Sequence, residues 1–185
     1  MVRSTSAACG AILLAILSSC SNDDSAHLSP VDSGSCQGSF CGVSAPCNQV
    51  VNDGPMVVPQ FVTGLAPAPA GGTLTDGKWA LTAYTVYSAN GNMVPVPEWA
   101  RTVWVVKGSD LEEAYSSRSE GFTHADEHSS YTFSAMGSAL SISGTCPGPV
   151  SGTNGVLPFT CSATELKIYD AAFQGITVET TLTKQ

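Results

Sequence analysis

The segment Ile176-Thr177-Val178-Glu179-Thr180-Thr181-Leu182-Thr183-Lys184 alternates without interruption. Ile176, Val178, Thr180, Leu182 and Lys184 fall on one face, and Thr177, Glu179, Thr181 and Thr183 on the other. A period of two belongs to an extended strand, and most of these residues are β-branched, which suits a pleated surface. Working outward, the pattern recurs in short runs at 166–169, 157–163, 139–144, 129–136, 111–118, 101–107 and 78–88. In the last of these, Trp79, Leu81, Ala83, Thr85 and Tyr87 share one face. Turn residues separate the runs: Asn90-Gly91-Asn92 with Pro95 and Pro97, then Gly108, then Met136-Gly137-Ser138, then the Gly/Pro-rich stretch 147–155. No helical period interrupts them. The reading is an all-β chain of eight antiparallel strands closed as an up-and-down barrel, because closure removes the edges that would template aggregation.

Composition agrees with a small exported β domain. The chain has 185 residues, 12% of them charged, with 18 Gly and 11 Pro. That charged fraction is roughly half the usual quarter. Acids outnumber bases 15 to 7, which argues against nucleic acid as a partner, since phosphate binding needs a basic surface. The domain reading is a signal peptide at 1–19, a flexible cysteine-containing tether at 20–70 and the barrel at 71–185. The Ser/Gly/Asp-rich stretch from Ser21 to Pro46 reads as linker, and Ala66-Pro67-Ala68-Pro69 marks the boundary.

The first residues set an address. Arg3 precedes an eleven-residue apolar run, 7–17, which is too short to cross a hydrocarbon core of about 30 Å. The run ends in Leu17-Ser18-Ser19-Cys20, which resembles the bacterial lipobox. The resemblance implies that Cys20 is acylated and becomes the first residue of the mature chain. It also implies outer-membrane sorting, since Ser21 rather than Asp follows the cysteine. Several acyl chains on one residue give stable anchoring. No Lys or Arg lies between Arg3 and Lys78, so the membrane partner would be held through lipid alone.

Gly77-Lys78-Trp79 opens the first barrel strand and is similar to the Gly-x-Trp entry of lipocalins and of shorter bacterial lipocalin-like domains. In that family a basic residue late in the chain packs over the Trp and closes one end of the barrel. The resemblance therefore implies a cation–π pair between Lys184 and Trp79. The chain departs from the family in carrying Lys at that place and in having no helical segment after the last strand.

Cysteines suggest bridges rather than metal. In an oxidising compartment, Cys146 and Cys161, flanking one hairpin loop, are expected to form a disulfide. Cys36, Cys41 and Cys47 are expected to form one local bridge and leave one odd thiol, with the pairing open. Their spacing lacks paired Cys-x2-Cys and a fourth ligand for zinc. His124-Ala125-Asp126-Glu127-His128 would place two His on one face only as a helical turn, and it reads first as a solvated loop. No Gly-x-Ser-x-Gly elbow is present, and Glu112, Glu113 and Glu120 read as a solvated surface.

No catalytic constellation and no cofactor site stands out. The expected function is that of a non-enzymatic, lipid-anchored envelope protein whose barrel binds a small apolar ligand. Trp79, Trp104, Tyr131 and Phe133 either line such a cavity or fill it. Two alternatives remain at this point: a solid-core structural or protein-binding module, and weak metal scavenging by the His124 to His128 loop.

Overall fold

Alternation along the chain becomes an antiparallel ladder in the computed structural model, which describes residues 47–92, 94–146, 155–173 and 175–185. Cys20, Cys36, Cys41 and the expected signal peptide at 1–19 lie outside the described residues. Ten strands follow in order: β1 (Gln60–Thr63), β2 (Gly77–Ser88), β3 (Trp99–Lys107), β4 (Asp110–Ser119), β5 (Phe122–Thr123), β6 (Glu127–Met136), β7 (Ala139–Cys146), β8 (Gly155–Cys161), β9 (Glu165–Phe173) and β10 (Ile176–Lys184). No helix occurs among the described residues. Eight strands form an antiparallel ring in the order β2-β10-β9-β8-β7-β6-β4-β3, and pairing of β2 with β3 closes it. The eight anticipated runs are these eight strands. β5 adds a two-residue pairing at the tip of β4, and β1 lies parallel to the second half of β2.

One half of the barrel interior is packed with apolar side chains. Trp79, Leu111, Leu140, Phe159, Leu166 and Leu182 are fully buried there, with Trp104 and Val106 beside them. Each such side chain stabilises the fold by about 1.5–3 kcal/mol. Leu74, just before β2, inserts into the same cluster. Thr75 then ties this end shut. Its carbonyl accepts from Trp79 Nε1 at 3.1 Å, and its hydroxyl accepts from Lys184 Nζ at 2.8 Å. Lys184 Nζ stands 5.5 Å from the centroid of the Trp79 ring.

A bulge decides what faces inward elsewhere. Thr181 pairs with Ala83 but Leu182 pairs with Leu81, so Thr82 is an extra residue in β2. Such a bulge exchanges the two faces of a strand. Trp79 and Leu81 point inward below it, and Tyr84, Val86 and Ser88 above it. The single-face reading of Trp79, Leu81, Ala83, Thr85 and Tyr87 is therefore corrected after Leu81. Tyr87 lies outside, its hydroxyl 3.5 Å from Glu179.

Residues 47–75 wrap the barrel as a strap, so the tether reading of 20–70 does not stand for 47–70. Asn48 Nδ2 donates to the Glu113 and Ser129 carbonyls at 3.1 and 2.8 Å. Val50 packs on the outer side against Ala80, Val103 and Ala114. Asn52 Nδ2 donates to Ser116 Oγ and Asp126 Oδ1, both at 3.0 Å. Val57 bridges Ala100 of β3, while β1 runs beside β2. These two contacts take up backbone groups that β2 and β3 leave unpaired where they splay apart. The strap returns to the closed end through Gly71 and Gly72, at φ +74° and +136°. A Cβ on either would strike backbone, of Gly137 and of Cys161 respectively. Only glycine fits there.

The disulfide joins Cys47 to Cys146, with Cα atoms 5.4 Å apart, and Cys161 is a free thiol. The expected Cys146–Cys161 bridge is thus overturned by register. β7 and β8 pair Ala139 with Pro158 and Ile142 with Gly155. Pro158 already stands opposite Ala139, the first residue of β7, so Cys161 lies beyond that end of the strand, while Cys146 ends β7 on the other side, about 20 Å or more away at the usual strand rise. Cys161 Sγ instead donates to the Thr73 carbonyl at 3.3 Å.

The bridge spans a sequence separation of 99 residues. Closing a loop of that length is worth up to about 4.7 kcal/mol on the chain-entropy account, and native bridges more commonly measure about 2–4. Cys47→Ser and Cys146→Ser should each lower the unfolding free energy by about 2–4 kcal/mol in a denaturant titration. Cys161→Ser should cost less than about 1 kcal/mol. An equal loss in Cys161→Ser would restore the Cys146–Cys161 pairing.

Candidate functional site

Inner positions away from the closed end carry a different chemistry. β4 alternates Leu111, Glu113, Tyr115 and Ser117 on its inner face, β2 contributes Tyr84, Val86 and Ser88, and β9 contributes Asp170 beyond Leu166 and Ile168. Leu111, Leu166 and Ile168 are buried, whereas Tyr84, Glu113, Tyr115 and Asp170 stay partly accessible. The barrel is therefore wholly apolar at one end and mixes phenols, carboxyls and hydroxyls with apolar side chains at the other, where Val86, Ser88, Ser117 and Ile176 are buried too.

Glu113 sits between the two halves. Trp104 Nε1 donates to its Oε1 at 2.8 Å, and the Tyr131 hydroxyl donates to its Oε2 at 3.1 Å. Desolvation nonetheless holds its pKa above the ordinary carboxylate value, with the two donors pulling it back and the charge on Glu127 adding to the rise. The surface reading of Glu113 is corrected by the same alternation that makes Leu111 a core residue. Counting by twos from Leu111 would have found it.

Two phenols, Tyr131 and Tyr115, neighbour this carboxylate, and a third, Tyr84, neighbours Tyr115 and Asp170. Burial, the neighbouring Tyr115 phenol and the charge on Asp170 push Tyr84 up to about 12. Burial likewise raises Tyr115, as do the charges on Glu113 and Glu127, against a hydrogen bond with Ser117. Burial and then the Glu113 charge raise Tyr131. Desolvation alone raises Asp170. In each of these groups the shift favours the neutral form, the direction that withdrawal from water imposes.

The residues singled out from the sequence distribute unevenly around this site. Trp79, Trp104, Tyr131 and Phe133 join one cluster, with Trp79 and Trp104 buried and Tyr131 and Phe133 packed against it. They floor the open half rather than line it throughout. His124 and His128 are not brought together by a helical turn. His124 lies exposed before β6, while His128 lies on β6 with Nδ1 3.0 Å from Asn48 Oδ1. Among the described residues no three His, Cys, Asp or Glu side chains converge on a metal-sized site. Asp126 of that loop instead contacts Arg101 at 3.5 Å and Asn52.

Glu113 makes stability depend on pH. Its folded pKa stands above the ordinary 4.5, so the folded protein keeps this proton longer than the unfolded chain does. This group's contribution is therefore full below the unfolded pKa and is lost as pH rises through the folded one. Glu113→Gln keeps an acceptor for Trp104 and removes the titration. Unfolding free energies measured from pH 4 to 8 should shift progressively in favour of Glu113→Gln. Glu113→Leu should instead lose about 1–3 kcal/mol at every pH, because the Trp104 N–H is left without an acceptor.

No protein-family model, curated protein or solved structure matches this chain, so the chemistry of the site rests on its own residues.

Proposed function

We propose that this protein is a non-enzymatic lipoprotein of the bacterial envelope, anchored in the outer membrane through acylated Cys20, whose barrel takes up a small, largely apolar ligand. The observation that carries the binding reading is the division of the lumen. Trp79, Phe159, Leu166 and Leu182 make one end wholly apolar, while Tyr84, Glu113, Tyr115 and Asp170 bring polar groups, each partly accessible, to the inner face beyond it. A concave, largely apolar lining with a few polar groups is the usual make-up of a small-molecule site. Gly77-Lys78-Trp79 and Lys184 add the lipocalin-like resemblance, which is an analogy of fold.

The anchor rests on Leu17-Ser18-Ser19-Cys20 and on the long stretch after Arg3 that has no basic residue. The disulfide fits an oxidising compartment.

A specific observation favours a second reading, as a protein-binding module. The strap exposes Val51, Met56, Val58 and Leu65, with Leu65 82% accessible. Apolar side chains gathered on one exposed segment are a feature of contact surfaces.

Intact mass of the protein extracted from its own membrane tests the anchor. The expected mass is that of residues 20–185 plus acyl chains, and a mass without acyl chains rejects the anchor. Titration with a neutral apolar dye tests the lumen. The expected result is stoichiometric binding, competed by a neutral apolar molecule. Absence of dye binding by folded protein, with a partner cross-linked through the strap, would favour the module instead.

A further inference from the structure

The ring has no ends, but β1 stands off it with a strand neighbour on one side only. Parallel pairing with β2 engages alternate residues of β1. Gly64 N donates to the Ser88 carbonyl, and with Thr63 level with Ser88 the backbone groups of Val62 and Gln60 also turn toward β2. The N–H and C=O of Phe61 and Thr63 therefore point the other way. On that edge they make no hydrogen bond to any described residue.

All four residues of β1 are exposed. Phe61 and Val62 are apolar and accessible at its centre, and Val58 and Leu65 flank it, 66% and 82% accessible. A bare apolar strand edge is a template for another strand, and natural edges commonly carry charge against this. β1 carries none. From Gly54 to Thr75 the chain has no charged residue at all, although its net charge is −8. Two copies of so acidic a chain repel each other over most of their surface, but not along this strip. A partner recognised by charge would find nothing here to hold. A second copy brings the same open edge and the same apolar side chains.

We infer that two copies of this chain join edge to edge through β1, antiparallel across a two-fold axis. The inference rests on the protein-binding reading above and names its partner. The axis passes at Val62. In that register Phe61 of each copy lies opposite Thr63 of the other, so every outward N–H of the two edges meets a carbonyl. A slip of two residues toward the N-terminus would set Pro59 opposite Phe61, and proline has no N–H to give. The two Val62 side chains meet as a non-hydrogen-bonded pair, the closer of the two kinds.

Cysteine cross-linking in intact cells producing the full chain tests this arrangement. Val62→Cys places a thiol on the axis, where paired Cβ atoms stand about 4.5–5.5 Å apart, close to what a disulfide takes. Gln60→Cys places one on the same face of β1, but the pairing sets its two copies four residues apart, about 14 Å. Mild oxidation should give Val62→Cys a non-reduced band of twice the chain mass, beyond any formed by the unmodified chain. Gln60→Cys should show no such gain. Adding Thr63→Pro to Val62→Cys removes an outward N–H, leaves the groups that face β2 in place, and should abolish the band. Equal cross-linking at positions 60 and 62 reports random collision and overturns the inference. So does a monomer in every variant, or a dimer that survives Thr63→Pro. Capture of a different protein by Val62→Cys overturns the second copy and leaves the protein-binding reading standing. No product at either position, with no partner cross-linked anywhere along the strap, removes that reading too. The comparison of positions 60 and 62 decides the matter even where Thr63→Pro does not fold.

Discussion

Closure of the ring depends on a short seam. β2 meets β3 over four residue pairs, 77–80 with 103–106, before the two strands part. Beyond that point β2 bulges at Thr82, and β1 and Val57 occupy the backbone edges that would otherwise stand open. A ring of twisted strands needs its first strand to satisfy two neighbours, and a bulge is the usual way to bend one toward both. The strap is therefore a structural part of the barrel. Its disulfide to β7 and its asparagine contacts to β4 and β6 hold it in place.

The same bulge separates two kinds of interior. Below it, Trp79 and Leu81 continue an apolar core that Leu182, Leu166, Phe159, Leu140 and Leu111 complete. Above it, Tyr84 and Ser88 replace the outward-facing Ala83, Thr85 and Tyr87 as lining residues. Glu113 marks the boundary, held by one donor from the core side, Trp104, and by the Tyr131 hydroxyl.

Charge is distributed with the same division. Basic side chains serve the outer surface and the closed end, where exposed pairs such as Arg118 with Glu98 add little stability each. The more shielded Glu179, 4% exposed, pairs with Lys167 at 3.3 Å. The inner face beyond Trp104 receives acids and phenols without a base.

Much of the fold was legible in the chain because period two is a local property. The last strand could be read from Ile176, Val178, Thr180 and Leu182 alone, and all eight ring strands from similar runs. β1 could not, since its four residues are all exposed and its partners lie 25 positions away in β2. Glu113 was within reach of the alternation in β4, where the polar look of Glu112 and Glu113 together concealed it. The partner of Cys146 was not, because loop proximity says nothing about register, and register put Cys161 at the other end of the barrel. Nor does anything local reveal an extra residue at Thr82, since a bulge exists only relative to the strand it faces. The sequence by itself determined the eight strands of the ring and which side chains are apolar. The tertiary structure alone decided which of those faces turn inward, because ring closure sets every register at once.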